Sequence, residues 1–274
     1  MKNLMLALFL IISVQVFAQS FEGTITWSVK MEITDPKMKA QMEESQKMMQ
    51  DPAKIKEMEE QMNNPQFKAM MEQNPQMKAQ MEKMMAMMKS GGVNSLIPKG
   101  MIFKIKKEDA LFKMEGGLME NEFLYRAGDN KTYQLDRDNK TYSVIDHNED
   151  DDTDESVDHN IKVTKTSERA KIAGYSCTRY LVEVTEDDAK VSRSIWATTE
   201  LKDINIQELA KKNMKQGNDD LFFYKDIDGF PLKMVENRPE GVVTIEVTEV
   251  KRGSLPASDF VVPSDFKLVK GMGF

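Results

Sequence analysis

The chain has 274 residues and a formal charge of −7, with 38 Lys and Arg set against 45 Asp and Glu. An acidic chain without a Lys/Arg cluster repels phosphate backbones, which argues against nucleic acid as a partner. With one cysteine, Cys177, no internal disulfide can form, so the core must hold by burial alone.

Residues 1–18 carry the three-part pattern of a cleavable signal peptide. Lys2 supplies the positive start, Leu4 to Val14 is apolar, and Val16-Phe17-Ala18 puts a small residue at the cut. The apolar run is shorter than the roughly 20 residues of a membrane span, and no later stretch could cross a bilayer. Cys177 lies far from the junction, so no thiol is placed there for lipid attachment. The expectation is an exported, soluble protein beginning near Gln19, periplasmic or secreted; an uncleaved N-terminal anchor is the alternative. The remaining 19–274 reads as a single β-rich domain with two interruptions, at 35–92 and 146–159.

The mature start predicts a strand. Phe21, Gly23, Ile25, Trp27, Val29, Met31 and Ile33 alternate with polar residues, the period of two that sets one apolar face against a core.

From Asp35 to about Ser90 the pattern changes. Fourteen of the 23 methionines lie between Met38 and Met88, and leucine is absent. An Asx-Pro unit recurs at Asp35-Pro36, Asp51-Pro52, Asn64-Pro65 and Asn74-Pro75. Asp or Asn caps the open amides of a helix start, and Pro fits the first helical position while ending the preceding helix. The spacing predicts a chain of short helices with apolar positions at Met38, Met42, Ser45 and Met49, then Ile55, Met58 and Met62, then Met77, Met81, Met84 and Met88.

Strand patterns resume at 101–105, 110–114 and 122–126. Asp129-Asn130-Lys131-Thr132-Tyr133 recurs as Asp138-Asn139-Lys140-Thr141-Tyr142, where the Asp-Asn pairs suit turns. Residues 146–159 form an acidic loop. Strands follow near 161–166, 178–186 and 190–198, then a helix around Ile204–Lys215 capped by Asp203, then strands near 230–236 and 242–251. The fold class expected is α+β: a curved antiparallel sheet or incomplete β-barrel with helices on one face and a Met-rich helical insertion.

Phe21-Glu22-Gly23-Thr24-Ile25, Lys131-Thr132-Tyr133-Gln134-Leu135-Asp136, Lys171-Ile172-Ala173-Gly174-Tyr175-Ser176-Cys177, Ile195-Trp196-Ala197-Thr198, Gly229-Phe230-Pro231-Leu232-Lys233 and the closing Leu255-Pro256, Phe260 and Val262-Pro263 carry a family likeness. They resemble an uncharacterised secreted bacterial family, a numbered domain of unknown function whose fold is similar to the lipoprotein carriers LolA and LolB. The resemblance implies an incomplete barrel whose concave apolar face is lidded by helices and suited to an acyl chain or hydrophobic segment; it carries over no functional residue. Asn64-Pro65-Gln66-Phe67 and Asn74-Pro75-Gln76-Met77 resemble STI1-type repeats of co-chaperones, which implies a groove for hydrophobic segments.

Methionine's flexible thioether adapts to irregular apolar partners, and it also fills gaps in ordinary cores. The candidate ligand-contacting residues are therefore Met38, Met42, Met49, Met58, Met62 and Phe67, with Met70, Met77, Met81, Met84 and Met88 continuing the row and Trp27 on the sheet. Packing as a lid over the sheet is the competing reading. Thioethers also suit Cu(I), with i,i+4 pairs at Met38/Met42, Met58/Met62, Met77/Met81 and Met84/Met88, but the segment has neither His nor Cys.

In the acidic loop, Asp150, Asp152 and Asp154 match the first three ligand spacings of an EF-hand. Glu155 then stands at the glycine position and Ile161 at the closing glutamate position, so a solvated loop fits better. Both histidines, His147 and His159, lie in that loop, and no nucleophile elbow, zinc-protease helix motif or phosphate-binding glycine loop occurs. The sequence thus points to a non-enzymatic carrier or chaperone-like protein for a lipid, acyl chain or hydrophobic peptide, with no cofactor and no assigned metal site. A Cu(I)-binding envelope protein and a structural component of an envelope assembly are the alternatives.

Overall fold

The computed structural model describes residues 21–73, 75–90, 98–116, 121–145, 161–186, 189–204 and 226–270. The expected signal peptide, the acidic loop and the expected late helix beyond Ile204 lie outside the described residues.

Among the described residues, twelve strands form one sheet. In chain order they are β1 (Glu22–Ile33), β2 (Gly100–Lys106), β3 (Asp109–Glu115), β4 (Glu122–Arg126), β5 (Lys131–Asp136), β6 (Thr141–Ile145), β7 (Lys162–Ile172), β8 (Tyr175–Glu186), β9 (Ala189–Thr198), β10 (Phe230–Arg238), β11 (Gly241–Arg252) and β12 (Lys267–Leu268). The sheet order is β12-β6-β5-β4-β3-β2-β1-β11-β10-β9-β8-β7. The edges β12 and β7 do not pair with each other, so the sheet is curved and open, not a closed barrel. Each pairing is antiparallel except β12 on β6, which is parallel. Register shifts at Thr26/Trp27, Pro231/Lys233 and Lys165/Arg169 add the local bends that bulges impose.

The turns follow from their chemistry. Asn130 sits at φ 52 in the β4–β5 turn, and the Asp136 carboxylate accepts the Asn139 N–H at 2.9 Å in the β5–β6 turn. Ala173 (φ 49) and Gly174 (φ 91) make the two-residue turn between β7 and β8, so the Ala-Gly of the family motif is a left-handed hairpin turn.

Phe21 and Ile25 of the β1 alternation meet Val247, Leu232, Phe230 and Cys177 in the largest buried cluster, against which Trp27 packs. A second cluster gathers Tyr180, Val182, Val184, Ile195 and Ala197 of β8 and β9. A third seats Phe260 on Leu111, Leu124 and Leu135. Fully burying each such side chain contributes about 1.5–3 kcal/mol.

The insertion between β1 and β2 is the expected chain of four helices: α1 (Pro36–Met49), α2 (Pro52–Asn63), α3 (Pro65–Gln73) and α4 (Pro75–Ser90). Among the described residues their principal contacts are with one another and, for α1, with β1. Among those residues the insertion runs on from the end of β1 as a chain of helices packed on one another.

Candidate functional site

The Asx-Pro units work as their chemistry dictates. Asp35 accepts the Met38 N–H at 2.7 Å, Asp51 the Ala53 N–H at 2.9 Å and Asn64 the Gln66 N–H at 2.9 Å, with Pro opening each helix. These caps fix where each short helix begins and so how the next one folds back.

The fold-back leaves a cavity of about 410 Å³ between α2, α3 and α4. Met62, Met71 and Met85, one from each helix, line it. Met71 and Met85 are buried and Met62 half-buried. Glu59, Glu72, Glu82, Lys68 and Lys78 line it as well, with Asn63. Of these, Glu72, Glu82, Lys68 and Lys78 are exposed and Glu59 half-buried, so the thioethers form the floor and the charges the rim. Lys89 pairs with Glu59 at 2.5 Å and Lys78 with Glu82 at 3.9 Å. Three adaptable thioethers thus lie under a rim of Asn63 and charged side chains of both signs, a small apolar floor in an open cleft.

The predicted residues divide. Met38, Met42, Met49, Met58, Met62, Phe67 and Met81 are half-buried and Met88 is buried, as an inward face requires. Met70, Met77 and Met84 instead stand exposed at 44%, 37% and 38%. The inside places of Met70 and Met84 are taken by Met71, at 5%, and Met85, at 7%. The reason is phase. Phe67–Met71 and Met81–Met85–Met88 step by four and three residues along one helix face, and Met71 and Met85 each have an outward methionine directly before them. Met62 is thus the predicted ligand residue that reaches the cavity. The i,i+4 pair Met84/Met88 is split between outside and inside.

A second apolar surface lies on the sheet. The register aligns Phe103, Phe112 and Phe123 across β2, β3 and β4, with ring centroids 5.4 and 6.3 Å apart. The next rung is Trp27, Met101 and Met114. All six are half-buried. The opposite face of β3–β5 is covered by the C-terminal segment through Phe260, Leu255, Val262 and Phe266. Trp27 meets Phe230 edge-on at 5.9 Å, and its Nε1 is buried without a hydrogen-bond partner among the described residues.

Cys177 is buried, and burial pushes its thiol up to about 11, so it stays protonated. Among the described residues, no group of three or more His, Cys, Asp and Glu side chains is placed to hold a metal ion. Among them too, no helix is long and apolar enough to cross a membrane.

Residues 100–266 match the family model of the domain of unknown function DUF4412. The chain belongs to the DUF4412 family. The matched region begins at β2, so in this DUF4412 protein β1 and the helical insertion precede it. No curated protein matches the sequence significantly. Two solved structures align with this DUF4412 chain at low similarity. One is an uncharacterized conserved protein from Thermus thermophilus, 10% identical over 63% of this chain and 80% of that one, with a TM-score of 0.35. The other is LprF from Mycobacterium bovis, 11% identical over 64% and 84%, with a TM-score of 0.30. At these scores neither likeness assigns a ligand.

Proposed function

We propose that the protein is an exported, non-enzymatic carrier that holds an acyl chain in the methionine-floored cavity of its helical insertion. One observation carries the reading: thioethers from three separate helices, Met62, Met71 and Met85, line one cavity of about 410 Å³. Its volume falls within the range of small-molecule sites, and its exposed carboxylates and ammonium groups suit a ligand with one polar end. Export rests on the N-terminal pattern of Lys2, the Leu4–Val14 run and Ala18.

A fluorescent fatty-acid probe, displaced by unlabelled fatty acid, tests it. Met62 is half-buried, so Met62→Lys should leave the helices formed while placing a charge on the cavity floor. At least tenfold weaker probe binding is expected, and equal binding by the variant would overturn the cavity site.

The half-buried Phe103–Phe112–Phe123 ladder favours a second place for the same kind of cargo, on the sheet. In that case Phe112→Gln, and not Met62→Lys, weakens the probe.

A further inference from the structure

The methionines of the insertion fall into two populations, and the difference is structural. Met48, Met70, Met77 and Met84 are 46%, 44%, 37% and 38% exposed, whereas Met71, Met85 and Met88 are 5%, 7% and 9% exposed. Two outward–inward neighbours, Met70-Met71 and Met84-Met85, put an accessible thioether next to a buried one at the same helical level. The buried set lies on α3 and α4, and Met71 and Met85 also line the cavity.

We propose that the insertion is a two-stage peroxide-responsive element, in which the exposed methionines are oxidised first without structural consequence and oxidation of Met71, Met85 and Met88 then opens the helical cluster. A lone pair on the thioether sulfur attacks one oxygen of hydrogen peroxide. The O–O bond breaks, the departing hydroxide takes a proton to leave as water, and the sulfur becomes a sulfoxide. Sulfur is oxidised and peroxide reduced, so no further reactant is needed. A sulfoxide on Met48 or Met70 projects into water, where its dipole is solvated. On Met71 or Met85 the same oxidation turns a buried apolar side chain into a polar and bulkier one, and the packing that hides it is lost.

The sheet is spared because its buried clusters are built from Phe, Ile, Leu, Val, Tyr, Ala and Cys177, with Met234 only half-buried against the second of them. Release of an acyl ligand on the second stage rests on the cavity being its site, whereas opening of the helices does not.

The test titrates the full chain with hydrogen peroxide while peptide mass mapping locates sulfoxides and circular dichroism at 222 nm follows the helices. Sulfoxides should accumulate first at Met48, Met70, Met77 and Met84, and at Met31 of β1, itself 49% exposed, with the helical signal retained. Loss of that signal should track oxidation of Met71, Met85 and Met88, and bound fatty-acid probe should fall at least tenfold at the same dose. The variant Met71→Leu/Met85→Leu/Met88→Leu should keep its helices at the dose that melts the wild type, since Leu is near Met in volume and cannot be oxidised. Should that variant lack helices at the outset, Met48→Leu/Met70→Leu/Met77→Leu/Met84→Leu decides: melting at the wild-type dose or below supports the proposal, and survival overturns it. Sulfoxides in no order of exposure, or a triple variant that melts like the wild type, would also overturn it. Helix loss without loss of probe would retain the oxidation proposal and remove the cavity as the ligand site.

Discussion

Lys89 of α4 pairs with Glu59 of α2 at 2.5 Å, tying the last helix of the insertion to the second across the cavity that both helices line. The two side chains are 51% and 43% exposed, so solvent screens the pair and its contribution is below about 1 kcal/mol. Lys89→Gln should lower the helical melting of the insertion slightly at low salt. In 1 M salt the variant and the wild type should melt together. A difference that persists unchanged in high salt would assign the pair a packing role instead of an electrostatic one.

The pair Arg193–Glu236 behaves differently because it is buried. Arg193 Nε donates to Glu236 at 2.6 Å with side chains 3% and 6% exposed, and Arg238 reaches the same carboxylate. Arg193→Met leaves the buried Glu236 carboxylate with Arg238 as a remaining partner, so it should cost about 1.5–3 kcal/mol of sheet stability by denaturant unfolding, the scale of one hydrogen bond to a charged group. The double variant Arg193→Met/Glu236→Leu should recover much of that loss. A double variant as unstable as the single one would show that Arg193 acts through its other contacts.

Glu22 anchors the C-terminal segment to β1, accepting the Leu255 N–H at 2.8 Å, the Lys106 ammonium at 3.0 Å and the Ser254 hydroxyl at 3.3 Å. The Leu255 amide foremost, then Lys106, holds its carboxyl below the ordinary value of 4.5. Arg252 likewise lowers Asp203. A carboxyl lowered in the folded state supplies stability that is complete above its unfolded value and lost as pH falls through the folded one. Acid should therefore loosen the contact of β1 with 254–255 below pH 4.5, the ordinary value for this carboxyl, and Glu22→Gln should flatten that part of the stability–pH curve. Identical acid profiles for variant and wild type would contradict the assignment.

Gly229 lies at φ 105, and a Cβ there would overlap the Thr198 carbonyl oxygen. Gly229→Ala should therefore destabilise the sheet more than a surface substitution does, by more than about 1 kcal/mol, read as a lowered midpoint of chemical unfolding. Asp35→Ala, which removes the cap on Met38, should cost about 1 kcal/mol and be felt in the helices alone.

Much of this architecture was legible in the sequence wherever one physical rule acts alone. The β1 alternation and the Asx-Pro starts of the helices are such cases. The strand expected at 161–166 runs on to Ile172 because Glu168, Arg169 and Lys171 sit on an exposed edge strand and erase the apolar period. The parallel pairing of β12 with β6 spans two residues, too short to leave a pattern. The candidate site was half legible. Periodicity finds a methionine face, but at Met70-Met71 and Met84-Met85 adjacent identical residues leave its phase open, and packing between α2, α3 and α4 decides it. The cavity itself depends on how three helices fold back, which no local spacing encodes.

Photolabelling of the full-length protein with a diazirine-bearing fatty acid, followed by mapping of the labelled peptides, locates the acyl chain. Label is expected within 58–62, 70–72 and 81–85 and should disappear with excess unlabelled fatty acid. Competable label confined to the Phe103–Phe112–Phe123 strands, or no competable label at all, would contradict the cavity as its site.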